Sequence, residues 1–176
     1  AGIADICGNC WEWVAGARLV NGEIQIIPYG NSMKSDCSMG ADSTEWKAIM
    51  PDGRLVEPGT AGTLKIDRTS GSDAKLRINT GVTTQTTDSN DTNVVFRETA
   101  AVSGVSIPKI LIAAGFFPDS GQKAPGHFWA RNNGERLPVR GSGFSNTSYG
   151  GVAALGLSHA RSHVSSNVSF RSAFYE

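Results

Sequence analysis

Short strands joined by many turns, with few and short helices, are what this sequence predicts: a loop-rich α+β or mostly β domain. Two observations carry that expectation. The 176 residues include 21 glycines among many Ser, Thr and Asn, residue types that favour turns and caps over helix interiors. The apolar runs are short and are broken by Gly and Pro. A content of 39% hydrophobic and 18% charged residues is that of an ordinary globular chain, long enough for one core and too short for two comfortable ones.

Taken in order, the elements have local reasons. "RLVNGEIQIIP" (18–28) sets Asn21-Gly22 between two apolar runs, the strongest short hairpin signal. "DSTEWKAIM" (42–50) has Asp42 and Glu45 at capping-box spacing and predicts a short helix. "GRLVEPGTAGTLKID" (53–67) reads as two strand pieces broken at Pro58-Gly59. The polar stretch 79–93, "NTGVTTQTTDSNDTN", reads as an exposed irregular segment. "SIPKILIAAGFF" (106–117) predicts a helix with Ser106 as cap, Pro108 in its first turn and Ile107, Ile110, Leu111 and Ala114 on one face. "HFWARNNGERLPVRG" (127–141) gives strand material, a turn at Asn132-Asn133-Gly134 and a further strand. At the C-terminal end Val168, Phe170 and Phe174 alternate as one strand face.

Lys+Arg and Asp+Glu both number 16, so no global field draws the chain to nucleic acid or an acidic membrane. The longest apolar run, "ILIAAGFF" (110–117), is far short of the roughly 20 residues that span a bilayer. The N-terminus shows no basic flank and apolar core, so no targeting peptide is read there. Neither nucleic acid nor membrane insertion is expected.

Cys7 and Cys10 form a Cys-x-x-Cys pair in "DICGNCWEWVAG" (5–16). Two thiols fall short of the four ligands of a structural zinc, and Cys37 adds a third without a nearby histidine. No βαβ pattern surrounds the pair, as a thioredoxin-like site requires. A disulfide to Cys37 stays open, and the plainer reading is small thiols beside aromatic residues. His159 and His163 stand four apart in "SHARSH", a metal-ligand spacing on a helix, but the Ser/Gly-rich surroundings favour a surface loop. Ser158 and Ser162 beside them have the residue types of a nucleophile–base pair, yet nothing marks either serine as activated. Asn90, Asn146 and Asn167 open Asn-x-Ser/Thr triplets. No phosphate loop, EF-hand or cofactor motif is present, so no cofactor and no metal are expected.

"GNCWEWVAG" resembles the Gly-Asn-Val-Trp-Glu-Trp signature of the formylglycine-generating-enzyme-like branch of the C-type lectin fold, with Cys10 in the Val place. "RNNGERLPVRGSGF" resembles its Arg-Gly-Gly-Ser-Trp strand, with Phe144 in the Trp place. "NVSFRSAF" resembles its terminal Gly-Phe-Arg strand, with Ser169 in the Gly place. The resemblance implies an α+β C-type lectin-like domain over 1–176, with irregular mixed or antiparallel sheets, few short helices and an insert at about 17–125. It makes Trp11 and Trp13 core aromatics, Glu12 a polar tie and the cysteines incidental. The paired thiols of the catalytic branch would fall at Asn167 and Ser172, so the resemblance implies binding rather than catalysis.

Within that fold the chain is most similar to variable proteins diversified by retroelements, of the major tropism determinant type. Their C-terminal frame alternates fixed anchors with variable positions. Here, over about 140–172, the anchors are Arg140, Gly141, Gly151, Ala153, Ala154, Leu155, Leu157, Ala160, Arg161, Val164, Phe170 and Arg171. The positions implied to bind ligand are Gly143, Phe144, Ser145, Asn146, Tyr149, Gly156, Ser158, His159, His163, Ser165, Ser166 and Asn167. Gly, Ser, His and Tyr are each reached from an Asn codon by changing its adenines. The function so implied is recognition of a host or neighbour cell-surface protein or glycan from a phage tail fibre tip or a bacterial surface, with trimeric or other homo-oligomeric display. The alternatives are a fixed structural virion or adhesin domain, and an oxidoreductase relative of the formylglycine-generating type.

Overall fold

The computed structural model describes residues 7–121 and 123–170. Thirteen strands are found among them. In chain order they are β1 Trp11–Trp13, β2 Ala17–Val20, β3 Glu23–Ile26, β4 Lys47–Ile49, β5 Leu55–Val56, β6 Lys65–Arg68 and β7 Leu76–Asn79. Then follow β8 Thr92–Val95, β9 Ala100–Ala101, β10 His127–Ala130, β11 Glu135–Arg140, β12 Leu155–His159 and β13 Val168–Ser169. One α-helix, α1 Lys109–Ala113, and three 3₁₀ turns complete the described elements. The architecture is a mixed, sheet-rich fold with few short helices.

The strands form one path, β8-β10-β12-β11-β2-β3-β6-β7-β9, with β1, β4, β5 and β13 paired off it. Most ladders are antiparallel, while β10 with β12, β1 with β13 and β7 with β9 run parallel. β11 is the hinge of the path. Its first residues pair with β2, and its last pair with β1 on one edge and β12 on the other. The Asn132-Asn133-Gly134 turn therefore leads to a crossover rather than a hairpin, because β12 lies between β10 and β11.

The β2–β3 hairpin forms as its sequence predicts. Asn21 and Gly22 have φ of 48° and 83°, the pair of positive values that a type I′ turn demands. A Cβ on Gly22 would lie 2.9 Å from the Ile66 carbonyl oxygen, so glycine is required there for space as well.

Strand alternation sorts the side chains to two faces. Phe128 and Ala130 of β10, and Leu155 and Leu157 of β12, enter a core shared with Leu19, Ile24, Ile66, Ile78 and Leu111. Residues from 19 to 157 thus meet in one core, so the segment 17–125 is woven into it rather than appended. The opposite face carries a second, small cluster of Trp11, Val139 and Ala154, flanked by Trp13, Trp129 and Val168.

Several expectations need correction. Residues 42–50 form no helix: turns lead into β4, which pairs with β3 and β5. Ser43 Oγ accepts the Glu45 N–H in a local turn, and Trp46 and Ile49 are buried on the sheet, which outweighs the capping-box spacing. The predicted helix at 106–117 contracts to Lys109–Ala113, capped by Pro108 without a side-chain bond, so Ser106 is not the cap. Of its expected face, Leu111 is fully buried, and Ile107, Ile110 and Ala114 pack around it. The polar segment is irregular over 80–91, but Asn79 belongs to β7 and Thr92 and Asn93 to β8. Nor is it loose: Asn132 Oδ1 accepts the Thr86 N–H at 2.7 Å, and Thr86 Oγ1 accepts the Asn132 N–H at 2.7 Å.

At the C-terminal end Val168 packs beside Trp11, but Phe170 is 78% exposed and shares no core face with it. Val164, expected as an anchor, is 92% exposed. Phe174, Arg171 and Ser172 lie outside the described residues. Among the aromatics, Trp11 is buried and Trp13 only half-buried. Cys7, Cys10 and Cys37 are free thiols, which closes the question of a disulfide between them.

Candidate ligand-binding cleft

The face opposite the main core is built from β1, β8, β10, β11 and β12. The register sets Trp129 of β10 beside Gly156 of β12, and Val139 of β11 on the other side of Gly156. Trp11 of β1 reaches the same place, its indole edge-on to Trp129 with centroids 5.5 Å apart. Because Gly156 has no side chain, the sheet is hollow at this point. A Cβ there would lie 2.8 Å from Val139 Cγ2 and 3.7 Å from the Trp11 ring.

The hollow is a cleft of about 160 Å³, walled by Trp11, Trp129, Val139 and Gly156 and by four polar residues, Asp91, Asn146, Ser158 and His159. Asn146 sits in the 3₁₀ turn Phe144–Tyr149 and is held by its Oδ1, which accepts the Gly143 N–H at 2.8 Å. Asp91 is ion-paired with Arg131. Ser158 is buried, and its Oγ has no hydrogen-bond partner. No histidine bonds that hydroxyl, so it has no base to activate it as a nucleophile.

An aromatic rim extends from the cleft on both sides. On one side His127 lies 5.6 Å from Trp129, with Tyr149 edge-on to it at 4.5 Å. His127 Nδ1 donates to Asn93 Oδ1 at 3.1 Å. On the other side the His159 and His163 rings stack 4.0 Å apart, and Trp13 meets His159 edge-on at 6.1 Å. Burial, reinforced by the charge of His163, pushes the His159 imidazole down to about 4, so it is neutral at pH 7. Burial also lowers His127.

Twelve positions were expected to bind ligand, and they divide. Asn146, Gly156, Ser158 and His159 line the cleft, while His163 and Tyr149 belong to its rim. Gly143 is buried behind it, holding Asn146 and facing the Trp11 indole. Phe144, Ser145, Ser165, Ser166 and Asn167 lie outside its lining. Asn167 instead ties the β1 edge, its carbonyl accepting the Trp11 N–H at 2.9 Å. One further correction concerns 156–159: it is a strand rather than a surface loop, with Gly156 and Ser158 buried and His159 at its end.

Sequence reasoning missed Trp129, His127, Val139 and Asp91. Alternation in "HFWA" carried the signal for the first two, since Phe128 and Ala130 face the core. Asp91 had none, because it arrives from the far end of the polar segment. Among the described residues no three His, Cys, Asp or Glu side chains group as metal ligands, and no helix is long and apolar enough to cross a membrane. The chain matches no protein-family model and no curated protein sequence.

Proposed function

We propose that this chain is a non-catalytic binding module of C-type lectin-like fold, displaying residues 140–172 to a host or neighbour cell-surface molecule. The observation that carries the reading is convergence. Asn146, Gly156, Ser158 and His159 are spread over fourteen positions of sequence, yet they border one cleft, with Tyr149 and His163 on its rim. The lectin-like assignment draws support from a second convergence. The three resembling blocks supply β1, β11 and β13, and β1 pairs with both of the others.

The physical logic is that of a paratope. Large core residues on one sheet face and the small Trp11–Val139–Ala154 cluster on the other hold the fold, so exposed rim side chains such as Tyr149 contribute little to stability and are free to vary. Tyr149, Trp129 and the histidines supply rigid contact area, and Ser and Asn supply adaptable hydrogen bonds. A single small site binds modestly. Repetition in a homo-oligomer on a tail fibre or cell surface would multiply avidity without new contacts.

The test is the combined variant Tyr149→Ala, His159→Ala, His163→Ala in a cell-attachment assay, with circular dichroism to follow folding. The proposal expects a folded protein that no longer attaches. Retained attachment would leave a fixed structural domain as the better reading.

A further inference from the structure

We infer that a second site lies at the link between β1 and β2, a pocket that takes a small monocarboxylic acid with an apolar body and sets its carboxylate on Arg161. This goes beyond the binding reading above and does not depend on it. The pocket meets the rim of the cleft only at Trp13, whose ring faces His159 at 6.1 Å and His163 at 6.4 Å.

Size and walls select the body. Residues 13–17 with Met39, Trp46, Leu137, Phe170 and Arg161 enclose about 320 Å³. That falls within the range of small-molecule pockets, about 300–1,000 Å³. It equals the liquid share of roughly ten waters at about 30 Å³ each, room for a guest of about ten heavy atoms. Apart from Arg161, every side chain on the lining is apolar or aromatic. Three of the large apolar side chains that the fold leaves exposed, Val14, Met39 and Phe170, border this one concavity. Exposed apolar surface gathered in this way marks a place of binding.

The walls are set before any guest arrives. The Val14 N–H donates to the Pro138 carbonyl at 3.0 Å, and the Gly16 carbonyl accepts the Ile27 N–H at 2.9 Å. Trp46 is held by its Nε1, which donates to the Gly40 carbonyl at 2.9 Å.

Charge selects the head group. Arg161 is the one ionisable side chain on the lining. It donates from Nε and Nη2 to Glu135, and a guanidinium has five N–H groups, so donors remain for a guest. Glu135 also accepts from Arg18 Nη1 at 2.9 Å. Two guanidiniums thus share one carboxylate, and one positive charge is left over. Asp42 acts on Arg18 from a distance, but it is exposed and ion-paired with neither arginine. One carboxylate cancels the excess, and its plane matches the guanidinium fork. A phosphate, with a charge near −2 at pH 7, exceeds it. A cation is repelled, and an uncharged apolar guest would cover the guanidinium without bonding it.

The experiment titrates the ¹⁵N-labelled chain with octanoate, octanol, octylammonium and the peptide acetyl-Gly-Gly-Leu, followed by NMR. Octanoate should bind with a Kd on the order of 0.1–1 mM, as suits so small a guest. Its shifts should centre on residues 13–17, Leu137, Arg161 and the Trp13 and Trp46 indoles. Octanol should bind about tenfold more weakly, and octylammonium not at all. Arg161→Gln should bring octanoate down to the level of octanol. Glu135 keeps Arg18 as its partner in that variant, so the fold should hold. Val14→Asp, at an exposed position of the wall, should abolish octanoate binding by placing a second carboxylate beside the first. Circular dichroism checks that both variants are folded. Octanol or octylammonium binding as tightly as octanoate, an affinity unchanged in either variant, or shifts centred elsewhere or absent would each overturn the assignment. Tighter binding of the peptide than of octanoate would overturn it in favour of a chain terminus.

Discussion

The imidazoles of His159 and His163 lie nearly face to face, with centroids 4.0 Å apart and planes inclined by 19°. Two rings so placed resist charging together, and the partly buried one of the pair gives way. His159, at the edge of the cleft, is pushed down to about 4 by burial and then by the charge of His163.

The consequence for stability has a definite sign. The unfolded chain takes up a proton at His159 near 6.5, whereas the folded chain takes it up only near 4. Between those values the unfolded state binds more protons, so stability falls as pH drops from about 6.5 to about 4 and is unaffected above that window. His127, also lowered by burial, acts in the same direction. Urea midpoints measured from pH 7 to pH 4 should decline, and His159→Gln should flatten the slope.

Asp67 acts in a different window. Its carboxyl is fully buried; burial alone would raise it, but hydrogen bonds led by those from Asn79 and Thr83 hold it at about 2. The stability it contributes is present above 3.8 and is lost as pH falls through about 2. It also pairs with Arg77 and accepts the backbone N–H groups of Thr83 and Thr84, so it anchors the start of the polar segment. Asp67→Ala should cost about 3 kcal/mol or more by leaving those donors and the guanidinium without their acceptor. The loss is read from denaturant unfolding, and faster amide exchange at Thr83 and Thr84 should accompany it.

Gly156 and Ser158 make opposite predictions although two residues apart on β12. Gly156→Ala sets a methyl 2.8 Å from Val139 Cγ2, and valine is stiff at χ1, so the sheet must shift. The expected cost is about 1–3 kcal/mol, with the cleft partly filled. Ser158→Ala removes a buried hydroxyl that bonds nothing and should leave stability unchanged or higher. Parallel thermal melts of the two variants check the contrast.

How much of this was legible in the sequence varies with the range of the forces involved. The Asn21-Gly22 hairpin was fully legible, because its turn geometry is decided by two adjacent residues. The helix around Leu111 was legible in kind but not in length, since packing against the core sets its ends. The stretch around Trp46 misled, because its capping-box spacing is local while its burial is tertiary. Trp46 Nε1 donates to the Gly40 carbonyl, and the Arg18 guanidinium stacks on its ring at 4.4 Å. Neither contact can be read from spacing. The cleft was half legible. Asn146, Gly156, Ser158 and His159 stood out by their place in a frame of anchors, whereas Trp129 on β10 and Asp91 just before β8 are brought alongside only by the β8-β10-β12 order.

The central claim, that residues 140–172 form a surface diversified for binding, is tested most directly by sequencing those codons across many lineages of the source. The account predicts variation concentrated at adenine-derived positions such as 143, 145, 149, 159 and 163, with Leu155 and Leu157 in the core held constant. Invariant codons throughout, or changes spread evenly over core and cleft positions, would contradict it.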